Sequence, residues 1–250
     1  MLPNKKFRFD IITHLFGALI LSSVLQAHAG TKEDIAAIQS KLDSRNPPVK
    51  VKSINTTPIN GLYEIFNGSS IIYSDKSFSH VILGGSIIET TKNKNLTEES
   101  IKVLTAIKFS DLPLQNAIEI KKGTGAYKFA VFSDPDCPYC KELEISLDKS
   151  GATDYTAYLF LYPLKDLHPD STAKSESIWC ALDKAEAWTN LMVKNIEPNK
   201  ASCDNPVHKN ESLGDKLGVS GTPTVYLSNG QQSQNPQELI AAIKASNKTN

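Results

Sequence analysis

Lys128-Phe129-Ala130-Val131-Phe132-Ser133-Asp134-Pro135-Asp136-Cys137-Pro138-Tyr139-Cys140 is the stretch on which the reading of this chain turns. Lys128 to Phe132 is a buried-strand candidate, apolar from Phe129 onward. Pro138 suits the first helical position, where its missing N–H leaves no bond unmade. That places Cys137 at a helix N-terminus and Cys140 one turn inside, on a helix predicted to run to about Ser150. Free backbone N–H groups and the positive end of the helix dipole favour the Cys137 thiolate over its thiol. The spacing lets the two sulfurs bridge without straining the helix. Cys137 is therefore read as the attacking thiol and Cys140 as the resolving one.

A CxxC pair also serves as a plain structural disulfide or as half of a zinc site. A closed zinc site needs four ligands; Cys180 and Cys203 form no second CxxC, and His168 and His208 have no ligand spacing. No metal and no cofactor are expected. Asp134 and Asp136 flank the pair and are read as candidates for tuning proton transfer, or as loop caps. His168 reads as a loop residue near a helix N-cap.

Outward from the motif, residues 114–250 alternate strands and helices. Strands are predicted at 128–132, 158–162 and 224–227. One long helix is predicted over 171–194, with Ile178, Leu182, Ala185, Trp188 and Met192 on one face. Further helices are predicted at 208–217 and from Asn235-Pro236 to about 245, where Glu238 completes a capping box. Asn229-Gly230 turns the last strand into a hairpin. The order is that of an α/β thioredoxin-like domain with a helical insertion. Gly221-Thr222-Pro223-Thr224 precedes the 224–227 strand. In such a fold Pro223 is expected to be cis and to face the CxxC, leaving the Thr222 backbone free to pair with an extended substrate. An ordinary trans proline opening an edge strand is the other reading.

The N-terminal part differs in character. Residues 30–95 have no cysteine and predict a small α+β module. Its helix is expected at 33–43, with Ile35, Ile38 and Leu42 on one face. Short strands are expected at 50–54, 62–66, 70–74 and 81–88, with Asn67-Gly68 as a hairpin turn. A helix starting near Thr97 and closed by Pro113 reads as a linker over 96–112, or as the first helix of the next domain; the catalytic domain then spans 113–250.

Residues 1–29 read as a secretory signal: Lys5, Lys6 and Arg8, a mostly apolar run from Ile11 to Leu25, and Ala27-His28-Ala29 as the cleavage site. The apolar run is short for a membrane span. The chain carries 27 basic and 27 acidic residues, with no basic block to suggest nucleic acid. Four cysteines in an exported chain favour disulfides, but counting leaves three connectivities open. Bridging Cys180 and Cys203 would close a loop of about 24 residues, a stabilising constraint on the unfolded chain; a second redox pair is the alternative.

Four segments in order, namely 131–140, Ile178-Trp179-Cys180-Ala181, Ser202-Cys203-Asp204 and Leu217 to Pro223, resemble the bacterial periplasmic disulfide isomerases DsbC and DsbG. Ser53 to Glu64 is similar to the N-terminal module of that family. The resemblance implies a cystatin-like dimerisation domain, a V-shaped homodimer, and an apolar cleft for misfolded, disulfide-containing exported proteins. It further implies catalytic Cys137 and Cys140, a substrate-binding surface around Thr222, Pro223, Pro138 and Tyr139, a structural Cys180–Cys203 bridge and a membrane reductase of the DsbD type. Pro138-Tyr139 stands where many DsbC proteins have Gly-Tyr, as in DsbG-like members. The expected function is periplasmic disulfide isomerisation and reduction with chaperone activity. A reductase of sulfenylated cysteines, a chaperone or a net oxidase are the alternatives.

Overall fold

The computed structural model describes residues 18–233 and 235–247. Lys5, Lys6 and Arg8 of the predicted leader, and its apolar run up to Gly17, lie outside the described residues. No helix among those described is long and apolar enough to cross a membrane. The chain forms two compact units that part between Gly85 and Ser86.

In the first unit, α1 (Ala18–Asp43) packs on a four-stranded antiparallel sheet: β1 (Ser53–Thr56), β2 (Leu62–Phe66), β3 (Ile71–Asp75) and β4 (Val81–Ile82), in that order. The helix starts earlier than the predicted residue 33, but Ile38 and Leu42 form the expected apolar stripe, fully buried against Tyr63 and Ile65. The Tyr63 hydroxyl donates to Asp34 at 2.6 Å, tying helix to sheet. The strand expected over 81–88 is two separate pieces. β4 ends at Ile82, and β5 (Ile88–Glu89) pairs instead with β6 (Lys94–Asn95) in the second unit. Gly84, at φ +68, turns the chain between them, a conformation that suits a residue without Cβ.

In the second unit, Asn95 caps α2 (Leu96–Leu104) by accepting from the Glu98 N–H. A five-stranded sheet follows, built from β7 (Ile118–Lys122), β8 (Tyr127–Ser133), β9 (Tyr155–Leu161), β10 (Thr224–Leu227) and β11 (Gln232–Ser233), in the order β11-β10-β8-β9-β7. β8 and β9 run parallel at its centre and the other pairs are antiparallel. Strand side chains alternate between faces. Phe129 and Val131 therefore enter a core with α3 (Pro138–Lys149), α4 (Ser171–Trp179), α5 (Lys184–Lys194) and α7 (Pro236–Ser246). Ala130 and Phe132 enter a second core with Phe160, Tyr162 and Tyr226, closed by Leu213 and Leu217 of α6 (Val207–Leu217). Burial on both faces is why Phe129 to Phe132 is apolar throughout, while Lys128 before it is exposed.

Strand β7 is absent from the sequence reading, although Ile118-Glu119-Ile120-Lys121 alternates as an edge strand does. The single helix expected over 171–194 is two. α4 stops at Trp179, with Cys180 as its C-cap, and Asp183 starts α5 by accepting from the Glu186 N–H. Leu182, expected on the apolar face, lies in this break and is fully exposed. Cys180 bridges Cys203, with Cα atoms 5.8 Å apart, and so ties the end of α4 to the segment before α6. The bridge spans a sequence separation of 23. Replacing both cysteines by serine is expected to lower stability by about 3 kcal/mol, read from the urea unfolding midpoint.

Candidate active site

Strand β8 is the central strand, and its C-terminal end delivers Asp134, Asp136 and the CxxC to the edge of the core. Cys137 is the N-cap of α3, with Pro138 at the first helical position. In the thiol form its Sγ–H donates to the Thr222 carbonyl at 3.3 Å. The Thr222–Pro223 peptide bond is cis. The 222–223 turn, 85 residues away in sequence, is thus brought onto the first cysteine.

The two thiols are free and differ sharply. The Cys137 thiol is lowered to about 5. The main cause is hydrogen bonding from the Cys140 thiol, helped by Thr222 and by the backbone N–H groups of Cys140 and Tyr139, against the opposing effect of burial. Cys140 is completely buried, and burial, with its role as donor to Cys137, holds its proton far above the usual thiol range. Its Sγ accepts the Asp134 N–H at 3.5 Å. Two hydroxyls, Thr222 Oγ1 and Ser133 Oγ, are buried without a settled partner. They lie by Cys137 and Cys140 respectively, where each donates to the sulfur once it is ionised.

Pro138 and Tyr139 face solvent, and Tyr139 is 69 % exposed. Beside them a cavity of about 250 Å³ has an apolar wall of Leu143, Pro223, Val225 and Leu239 and a polar rim that includes Glu142 and Gln237. Among the described residues no group of three or more His, Cys, Asp or Glu gathers as a metal centre requires.

Asp134 is fully buried and accepts three hydrogen bonds: from the Asp136 N–H at 2.7 Å, the Leu164 N–H at 2.6 Å and the His168 ring at 3.0 Å. Asp136 pairs with Lys174 of α4, which also reaches Glu197. Neither His168 nor Lys174 belongs to the site as read from sequence. Their contacts span 34 and 38 residues, and no local pattern announces them.

The disulfide bond isomerase protein N-terminal domain family matches residues 27–98, and the thioredoxin-like domain family matches residues 114–246. A probable thiol:disulfide interchange protein DsbC of Bordetella parapertussis is 37% identical over 194 residues, covering 78% of this chain and 67% of that one. This chain belongs to the DsbC family. The thiol:disulfide interchange protein DsbC of Escherichia coli K12 is 31% identical over 215 residues, covering 84% and 87%. A crystal structure of a disulfide interchange protein from Neisseria gonorrhoeae aligns with TM-score 0.50 and 41% identity, over 53% of this chain and 99% of that one. The chain is a thiol–disulfide oxidoreductase with the α+β N-terminal domain of that family before a thioredoxin-like one.

Proposed function

We propose that this DsbC-family protein is a periplasmic disulfide isomerase and reductase, acting on misfolded, disulfide-containing exported proteins. The observation that carries the reading is the unequal placing of the two thiols: Cys137 at the N-cap of α3 against the Thr222–Pro223 turn, its thiol lowered, and Cys140 completely buried one turn in, its thiol raised. The Cys137 thiolate attacks one sulfur of a wrong disulfide, and the substrate's other sulfur leaves as a thiolate and is protonated. From the mixed disulfide there are two exits. A second substrate thiolate attacks the substrate sulfur, forming a new pairing and releasing Cys137 as a thiolate. Otherwise Cys140 loses its proton and attacks Cys137, freeing a reduced substrate. A low pKa makes Cys137 a good leaving group, which favours the first exit.

Thr222, Pro223, Pro138 and Tyr139 frame the surface on which an extended substrate segment lies, and the neighbouring cavity accepts one of its side chains. Residues 30–95 serve as the dimerisation domain, 96–112 as the linker and 113–250 as the catalytic domain. A membrane reductase of the DsbD type keeps Cys137 and Cys140 reduced. The leader-like residues 1–29 and the Cys180–Cys203 bridge support an oxidising compartment.

The edge strand β4 supports a homodimer. Val81, Ile82 and Leu83 are 44%, 50% and 71% exposed, an apolar edge that a second copy covers by strand pairing. Val81→Lys with Leu83→Lys is expected to shift the protein to monomer in sedimentation. It should also suppress disulfide reshuffling while leaving reduction of a simple peptide disulfide intact.

The test is recovery of activity from a scrambled multi-disulfide protein by the unaltered chain. Catalysed recovery supports isomerisation. Reduction of a simple disulfide without recovery replaces it with a narrower reductase, of sulfenylated cysteines among other targets. Suppression of aggregation that survives loss of both thiols would make chaperoning a separate activity.

A further inference from the structure

The two acids beside the CxxC each take a cation from one segment of chain, residues 168–174. Asp136 is paired with Lys174, and Asp134 with His168. The pairs differ in one respect. Lysine stays charged throughout the working pH range, and its partners raise its pKa further. Histidine changes charge within that range.

Asp134 is the hub of the site. Its backbone carbonyl accepts the Cys137 N–H at 3.2 Å, and its N–H donates to the Cys140 sulfur. Its carboxylate accepts the N–H of Asp136, the residue before Cys137. A fully buried negative charge in this position repels a thiolate on Cys137. The carboxylate also grips the 164–168 turn at both ends, through the Leu164 N–H and the His168 Nδ1. The His168 backbone is fixed as well: its N–H donates to the Leu164 carbonyl at 2.8 Å, and its carbonyl accepts from the Ser171 N–H and hydroxyl. The imidazole is therefore held on the carboxylate with little freedom, 22 % exposed to solvent.

We propose that His168 is a positioning residue for the exchange reaction, whose positive charge, seated on Asp134, balances that buried carboxylate and so sets how readily Cys137 carries its own negative charge. This rests on Cys137 being the attacking thiol. When His168 loses its proton, the Asp134 charge stands uncompensated and the thiolate is disfavoured relative to thiol or disulfide. The groups around the imidazole are consistent in sign. Asp134, Asp136 and Cys137 all raise its pKa, and only burial lowers it. Lys174 on α4 is held by Asp136 and Glu197, and Lys141 on α3 is hydrogen-bonded to Asn195. On the other side of the turn, Asp166, His208, Glu211 and Asp215 line a separate cavity of about 530 Å³, where Asp215 accepts the Tyr162 hydroxyl and His208 pairs with Glu211. Among these, His168 is the titrating group seated on the carboxylate beside Cys137.

Two measurements test this, and neither reads activity. Coupling between two sites is reciprocal. In the unaltered protein, the His168 ring resonance, assigned by its loss in His168→Gln, is expected to titrate at higher pH when Cys137 and Cys140 are reduced than when they form a disulfide. In His168→Gln, which keeps an amide donor for Asp134, thiolate absorbance at 240 nm is expected to put the Cys137 pKa about one unit above that of the unaltered chain. Circular dichroism confirms that the variant is folded. A His168 titration indifferent to redox state, or an unchanged Cys137 pKa in the variant, overturns the proposal. Loss of the attacking role is read separately, from exchange activity retained by Cys137→Ser, so the two failures are distinguishable.

Discussion

Cys137→Ser is expected to reduce disulfide reshuffling to the uncatalysed background, whereas Cys140→Ser keeps the attack and accumulates mixed disulfides with substrate. The pH profile of the unaltered chain gives the same assignment a number. With its thiol lowered to about 5, Cys137 is almost wholly ionised at pH 7. A thiol at the ordinary value of 9.0 is about 1% ionised there, so the thiolate is enriched about a hundredfold. Alkylation by iodoacetamide is expected to be level from neutral pH down to about 6, half-maximal near 5, and to fall about tenfold per unit below that. The same displacement acts on stability. Because the folded pKa is depressed, the stabilising contribution is complete above the unfolded value of 9.0 and is lost as pH falls through about 5. Reduced protein should therefore lose stability relative to the disulfide form between pH 9 and 5. Cys140, displaced upward, acts only above that window. A half-maximal alkylation near pH 8 would remove the activated thiol from the mechanism.

Gly230→Ala is expected to destabilise the second unit by about 3 to 5 kcal/mol, measured by urea unfolding. Gly230 closes the turn between β10 and β11 at φ +85, and a Cβ there would lie 1.8 Å from the Ile107 carbonyl oxygen. That oxygen belongs to backbone, and the Gly230 carbonyl itself accepts the Ile107 N–H at 2.9 Å. Neither the turn nor the segment after α2 can withdraw without breaking the bond that joins them. Gly151 provides the control: its φ is +72, but a Cβ would meet nothing within 4 Å. Gly151→Ala should cost only the backbone penalty, about 1 kcal/mol. Equal losses at both positions would show that the contact with Ile107 contributes nothing.

Much of the site was legible because its signals are local. An apolar run, a proline at the first helical position and two cysteines three apart fix β8, the turn and α3 within thirteen residues. Thr222-Pro223 was legible through its place before a strand. Three features were not. β7 carries only two apolar residues among its alternating positions, and its pairing with β9 decides it. The break at 180–183 sits inside a sequence with good helical periodicity. It is imposed by the Cys203 bridge and the Asp183 cap, which override that periodicity. His168 and Lys174 reach the site only because the 164–168 turn and α4 fold back over the end of β8, and no spacing along the chain encodes that return.

The buried, reluctant Cys140 gives the covalent complex a lifetime. In the proposed mechanism, a substrate joined to Cys137 leaves in reduced form only after Cys140 surrenders a tightly held proton. Until then the substrate's own cysteines compete for the bond. The depth at which one sulfur is packed thus works as an escape clock. Pack it less tightly and clients leave reduced before they have searched their partners; pack it more tightly and a client with no better pairing stays captive.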